Sequence, residues 1–195
     1  YPFMVEPENP PYLAFLGRLS PEKGPHKAIS IAKQTGWCLK MAGKIDEVDR
    51  KFFEQEIAPH IDGKQIQYLG EVNHSEKAKL LGYAAVTLFP ITWEEPFGLV
   101  MIESMATGTP VIATNMGSVP EVVNHGVTGF ICESHEDMAS MIPQALELSR
   151  SGCRKYVEDR FTVSKMVDGY EAVYRKILEN RINQNGFIHS TKIKC

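Results

Sequence analysis

The stretch AAVTLFPITWEEPFGLVMIESMATGTPVIAT, residues 84–114, decides how this chain folds. Its ends, AAVTLFP (84–90) and TPVIAT (109–114), are short runs apolar on both faces, as strands of a parallel sheet covered by helices must be. Between them, Gly98 opens and Gly108 closes a run of good helix formers, which predicts a helix over 98–107. Strand, helix and strand in this order form a βαβ unit.

The same alternation extends in both directions. YLAFLG (12–17), WCLKMAG (37–43), IQYLG (66–70) and TGFIC (128–132) read as four further strands. Candidate helices fall near 25–36, 47–59, 75–82 and 118–124. The expectation is an α/β fold, a Rossmann-like doubly wound parallel sheet flanked by helices. The last third reads as helix over 134–149, 151–160 and 163–182. In the final helix Val163, Met166, Val167, Tyr170, Val173, Tyr174, Ile177 and Leu178 recur at steps of three and four, giving one apolar stripe. Residues 1–11 read as a linker and 12–182 as the domain. The tail 183–195 is polar and patternless, so disorder is expected there. Caps are expected at Asn73 or Ser75 and at Ser134 with Asp137. Ser118 with Glu121 has the spacing of a capping box, and Gly126 that of a helix stop.

The composition excludes several classes. Net charge is −3, from 21 basic and 24 acidic residues, which gives no footprint for nucleic acid or for a polybasic membrane contact. No apolar run approaches the ~18 residues that cross a bilayer. The opening YPFMVEPENPP has neither a basic region nor a long apolar stretch, so a cytoplasmic location is expected. Cys38, Cys132, Cys153 and Cys195 are scattered and make no C-x-x-C pair, and the six histidines make no H-x-x-x-H pair. Reduced thiols and the absence of a metal or other cofactor are therefore the expectation. His74, His125 and His135 fall at element boundaries and read as solvated.

Ligands of open α/β sheets bind beyond the carboxyl ends of the strands. Two segments there carry suitable chemistry. The first, Gly17-Arg18-Leu19-Ser20-Pro21-Glu22-Lys23-Gly24, places two cations five positions apart between glycines. It is neither a G-x-G-x-x-G fingerprint nor a G-x-x-x-x-G-K-[ST] loop, so dinucleotide and simple nucleoside triphosphate readings lose support. Surface ion pairs of Arg18 and Lys23 are an equally good account of this segment alone. The second is Trp93 to Glu103. The start of the predicted helix offers N–H groups to an anion. Pro96 has none, so the donors come from Phe97 onward, with Gly98, Leu99 and Val100 best placed. Glu95 and Glu103 bracket this anion site. Carboxylates there make sense for a ligand that carries phosphates for the amides and sugar hydroxyls for the acids. Dipole stabilisation accounts for Glu103 alone, not for the whole cluster.

GRLSPEKG, LFPITWEEPFGLVMIESMATGTPVIAT and GSVPEVVNHGVTGFI, in this order, resemble the C-terminal half of glycosyltransferase family 4, also called group 1. These are retaining enzymes of the GT-B architecture, and the similarity covers about residues 12–180. The resemblance implies a nucleotide-diphosphate sugar as substrate and gives each residue a role. Arg18 and Lys23 contact the donor pyrophosphate, and Glu95 contacts the transferred sugar as the catalytic-site residue. Glu103 binds the ribose, and the backbone at Phe97, Gly98, Leu99 and Val100 cradles phosphate. Gly43, Gly70, Glu71 and Val72 fall near the base. It also implies a partner lobe, N-terminal and absent here, that carries the acceptor site and any peripheral membrane contact. Residues 1–11 then join the lobes, and this chain alone is expected to be inactive. Two other readings stay open: a nucleotide-sugar epimerase of the same architecture, and a binding module without catalysis.

Overall fold

Six short apolar runs become six parallel strands in the computed structural model. They are β1 (Tyr12–Leu16), β2 (Cys38–Ala42), β3 (Ile66–Tyr68), β4 (Val86–Phe89), β5 (Val111–Thr114) and β6 (Gly129–Cys132). All pair in parallel, in the order β3-β2-β1-β4-β5-β6. This is the doubly wound Rossmann order, which reverses direction between β1 and β4 and opens a crevice beyond their carboxyl ends. The structure describes the backbone of residues 1–190 and the side chains of 1–180. Cys195 and the end of the tail, 191–195, lie outside the described residues.

The helices are α1 (Pro25–Thr35), α2 (Arg50–Phe52), α3 (His74–Gly82), α4 (Leu99–Thr107), α5 (Val119–Val122), α6 (His135–Leu146), α7 (Arg150–Arg160) and α8 (Val163–Ser190). Alternate residues of the strands feed two cores, as the period of two requires. Leu13, Phe15, Leu39, Met41, Leu88 and Ile112 pack against α1 and α6 on one face. Tyr12, Ala14, Leu16 and Ala42 meet Leu80 and Leu81 of α3 on the other. Each large apolar side chain buried in this way contributes roughly 1.5–3 kcal/mol.

Two compact units are distinguished, Tyr1–Val157 with the whole sheet and a second from Glu158 onward, which is the end of α7 and then α8. Within the first, residues 1–11 lie docked on the domain. Met4 N–H donates to Thr107 O and Glu8 N–H to Tyr83 O, each at 2.9 Å. The Arg150 guanidinium donates to the carbonyls of Met4 (3.0 Å) and Ala84 (2.9 Å) and to Thr109 Oγ1 (2.8 Å). Within the second, the apolar stripe of α8 from Val163 to Leu178 is exposed.

Four local expectations are corrected. The segment read as one helix over 47–59 is a chain of short pieces: a 3-10 turn, α2, a π turn at Phe53–Ile57 and another 3-10 turn at Ala58–His60. Ser118 and Glu121 form no capping box. Ser118 is itself helical (φ −76°, ψ −4°), and the Glu121 N–H donates to its carbonyl at 3.0 Å, not to its hydroxyl. Gly126 is not the stop of α5, which ends at Val122; it takes φ 76° in the turn leading into β6. Helix α8 runs on to Ser190, past the boundary at 182, since no proline interrupts 183–190. The caps at Asn73 and Ser134 are as expected, the first as a full capping box with Glu76.

Candidate functional site

Every strand ends on the same edge of a parallel sheet, so the loops after β1, β2, β3, β4 and β5 meet there. Gly17 N–H donates to Ala42 O at 3.1 Å, Leu19 N–H to Lys44 O at 2.9 Å, and Gly43 N–H to Gly70 O at 2.9 Å. Tyr68 Oη–H adds a bond to Gly43 O at 2.7 Å. The loops carrying Arg18, Gly43 and Gly70 are thus tied edge to edge. Gly43 takes φ 150°, and a Cβ there would strike the carbonyl of Gly17, so only glycine permits this approach. Glu71 and Val72 line a cavity of about 460 Å³ with Tyr12, Lys40 and Leu80.

The loop after β1 makes a 3-10 turn at Pro21–Lys23, closed by Gly24 at φ 73°. Its Thr92 N–H···Glu22 O bond of 2.9 Å fastens it to the loop after β4. That places Lys23 against Glu95. The Lys23 ammonium pairs with Glu95 Oε2 and lies 4.6 Å from the Trp93 ring centroid, while Trp93 Nε1–H donates to the same Oε2 at 2.9 Å. The side chains of the pair are only 18% and 13% exposed, so water screens them less than an ordinary surface pair.

Arg18 stands in a second group. It donates to Glu22 Oε1 at 2.7 Å and to Asp46 Oδ2 at 3.5 Å, and Lys44 pairs with Asp46 at 2.7 Å. Burial works against ionised Glu22, but Ser20, its own N–H and Arg18 together hold its carboxyl below the ordinary value. The Lys44 hydrogen bond does the same for Asp46.

Helix α4 begins at Leu99, with Gly98 as N-cap at φ 72°. Met101 N–H turns back to Gly98 O at 3.0 Å. The amides of Gly98, Leu99 and Val100 therefore have no preceding turn of helix to bond, as an anion-binding terminus requires. One turn further on, Glu103 Oε1 accepts from Tyr1 Oη at 2.6 Å and from Lys77 Nζ at 2.7 Å. Burial lowers and Glu103 raises the Lys77 pKa, and the net direction is upward.

The structure thus joins Lys23 to Glu95, and it sets Arg18 and Glu103 in separate groups with partners of their own. Glu22, Trp93 and Glu94 lie in the two segments that the sequence points to but carry no role there, and Asp46 and Lys77 lie outside both segments. Lys77 is 26 positions from Glu103 and Asp46 is 28 from Arg18, and no local periodicity reports such pairs. Among the described residues no group of three or more His, Cys, Asp or Glu side chains could hold a metal ion, and no helix is long and apolar enough to cross a membrane.

Residues 3–160 match the family model described as glycosyl transferases group 1. The chain belongs to this family. It is 34% identical over 138 residues to N-acetyl-alpha-D-glucosaminyl L-malate synthase of Bacillus anthracis, covering 66% of this chain and 34% of that protein. Among solved structures, Anabaena HepE in complex with UDP-glucose superposes with a TM-score of 0.72 at 25% identity, over 85% of this chain and 49% of that one. The C-terminal domain of a group 1 glycosyltransferase, LpcC of Francisella tularensis, superposes with a TM-score of 0.63 at 22% identity, over 78% and 87% of the two chains. The fold is accordingly one Rossmann-like lobe of the GT-B architecture, and the chain spans about a third to a half of the full-length relatives named here.

Proposed function

We propose that this chain is the donor-binding lobe of a retaining glycosyltransferase of family 4, one that transfers a sugar from a nucleotide-diphosphate sugar to an acceptor. The observation that carries the reading is the meeting of Lys23 and Glu95 beside the N-terminus of α4. A cation and free helical amides suit a diphosphate, and a carboxylate beside them suits sugar hydroxyls. Further support comes from HepE, whose structure contains UDP-glucose.

In this reading the diphosphate lies on the amides of Gly98, Leu99 and Val100, with Phe97 alongside. Lys23 turns from Glu95 toward the phosphates, and Arg18 reaches them from the neighbouring loop. These charges stabilise the nucleoside diphosphate as the glycosidic bond breaks, with no need of a metal ion or other cofactor. Glu95, released from Lys23, accepts hydroxyls of the transferred sugar, and Glu103 accepts those of the ribose. The base lies near Gly43, Gly70, Glu71 and Val72. The acceptor comes from an N-terminal lobe across the cleft, in the cytoplasm.

A thermal-shift screen with UDP, GDP, ADP and their sugar conjugates tests the proposal. One nucleotide series should raise the melting temperature of the wild-type chain, and the Lys23→Ala variant should lose most of the shift. No shift with any series contradicts the reading.

A further inference from the structure

Between β4 and α4 the chain runs from Pro90 to Gly98 without regular structure, so its backbone has no ladder of its own to hold it. The loop after β5 supplies the missing bonds. Thr114 Oγ1–H, at the end of β5, donates to Ile91 O at 2.6 Å. Gly117 N–H donates to Glu94 Oε2 at 2.7 Å, and Ser118 N–H to Glu95 O at 2.9 Å. Gly117 takes φ 54°, and a Cβ built on it would run into the backbone nitrogen and oxygen of Glu95. The two backbones therefore touch at a point where any other residue would push them apart.

We propose that Gly117 and Glu94 are positioning residues for Glu95. The Glu94 carboxylate caps the β5–α5 loop, and that loop in return holds the Glu95 carbonyl through Ser118 N–H and packs Gly117 against the Glu95 backbone. Glu94 and Glu95 are adjacent in sequence and divide the work: Glu94 is turned to the protein and Glu95 to the ligand. The inference rests on the donor-binding reading and adds to it a second loop that sets where the sugar-contacting carboxylate stands. The Lys23 pair cannot do this alone, because in that reading it opens when a diphosphate arrives.

The test is calorimetry of the wild-type chain and three variants with UDP and UDP-glucose, GDP and GDP-mannose, and ADP and ADP-glucose. Gly117→Ala adds the colliding Cβ, Glu94→Ala removes the acceptor, and Glu94→Gln keeps a carbonyl oxygen for the Gly117 N–H. In the series that binds wild type, Gly117→Ala and Glu94→Ala should weaken the nucleotide sugar about tenfold and the free nucleoside diphosphate by less than about twofold. Glu94→Gln should recover the affinity for the nucleotide sugar. Equal losses for sugar-bearing and sugar-free ligands, no loss in either alanine variant, or no recovery with glutamine overturns the inference. Failure of the wild-type chain to bind any of the six ligands contradicts the donor-binding reading itself, and this inference with it.

Discussion

Glu103 shows how little of a site's wiring depends on sequence neighbours. Both of its donors, Tyr1 Oη and Lys77 Nζ, converge on Oε1. A carboxylate has room for further donors, which is the capacity a ribose would use. Burial and the bond to Glu103 push the Tyr1 hydroxyl up to about 12, so it remains a donor throughout the neutral range. Glu103→Ala should weaken nucleoside diphosphate binding by roughly 1.5–3 kcal/mol, the value of a hydrogen bond to a charged group. Calorimetry decides it, and unchanged affinity would remove Glu103 from the site. The cysteines give a second prediction. Burial pushes the thiols of Cys132 and Cys153 each up to about 11. At pH 7.5 both should resist alkylation until the chain unfolds, as read by mass mapping; rapid labelling of either under native conditions would contradict their place in the core.

At the scale of elements, the loop 17–24 and the cap of α3 can be tested separately. Glu22 and Asp46 both titrate below their ordinary values, and both accept from Arg18. A carboxylate whose folded value is depressed adds stability above its unfolded value, and that stability is lost as pH falls through the folded one. The loop should therefore hold unchanged from pH 8 to 5 and loosen below about pH 4. The Arg18 side-chain N–H resonances should report this, and loosening on the alkaline side would contradict the assignment. Asn73→Ala removes a complete capping box and should cost about 1 kcal/mol, a fall of roughly 2–4 °C in melting temperature.

Much of this scale was legible beforehand. All six strands were, because β1, β4 and β5 are buried on both faces and the other three keep short, mostly apolar runs. The helix start at Gly98 was legible from glycine and proline placement. Ser118 misled because S-x-x-E is a local pattern, whereas the conformation of Ser118 is set by the docking of its loop on Glu95. The π turn at Phe53–Ile57 likewise answers to packing, with Ile57 fully buried, and not to helix period. The groups around Arg18, Glu95 and Glu103 join residues from loops and helices far apart in sequence, so only their members with a recognisable motif could be named in advance.

For the whole molecule, the proposal divides binding from transfer. In that proposal the phosphate, sugar and ribose contacts all lie within this chain, while the acceptor belongs to a second lobe. Holding two reactants in place can be worth about 7–11 kcal/mol of barrier. The chain alone should therefore bind donor and yet show no sugar transfer to a broad acceptor mixture. Turnover comparable to that of a protein carrying both lobes would contradict the division.

The most direct measurement of the central claim is an isothermal titration in EDTA of the wild-type chain with the nucleoside diphosphate selected by the thermal-shift screen. The account predicts one site per chain, affinity unchanged by removal of divalent metal, and a loss of at least about tenfold in Lys23→Ala. Absence of binding without metal, or equal affinity in wild type and Lys23→Ala, would contradict it.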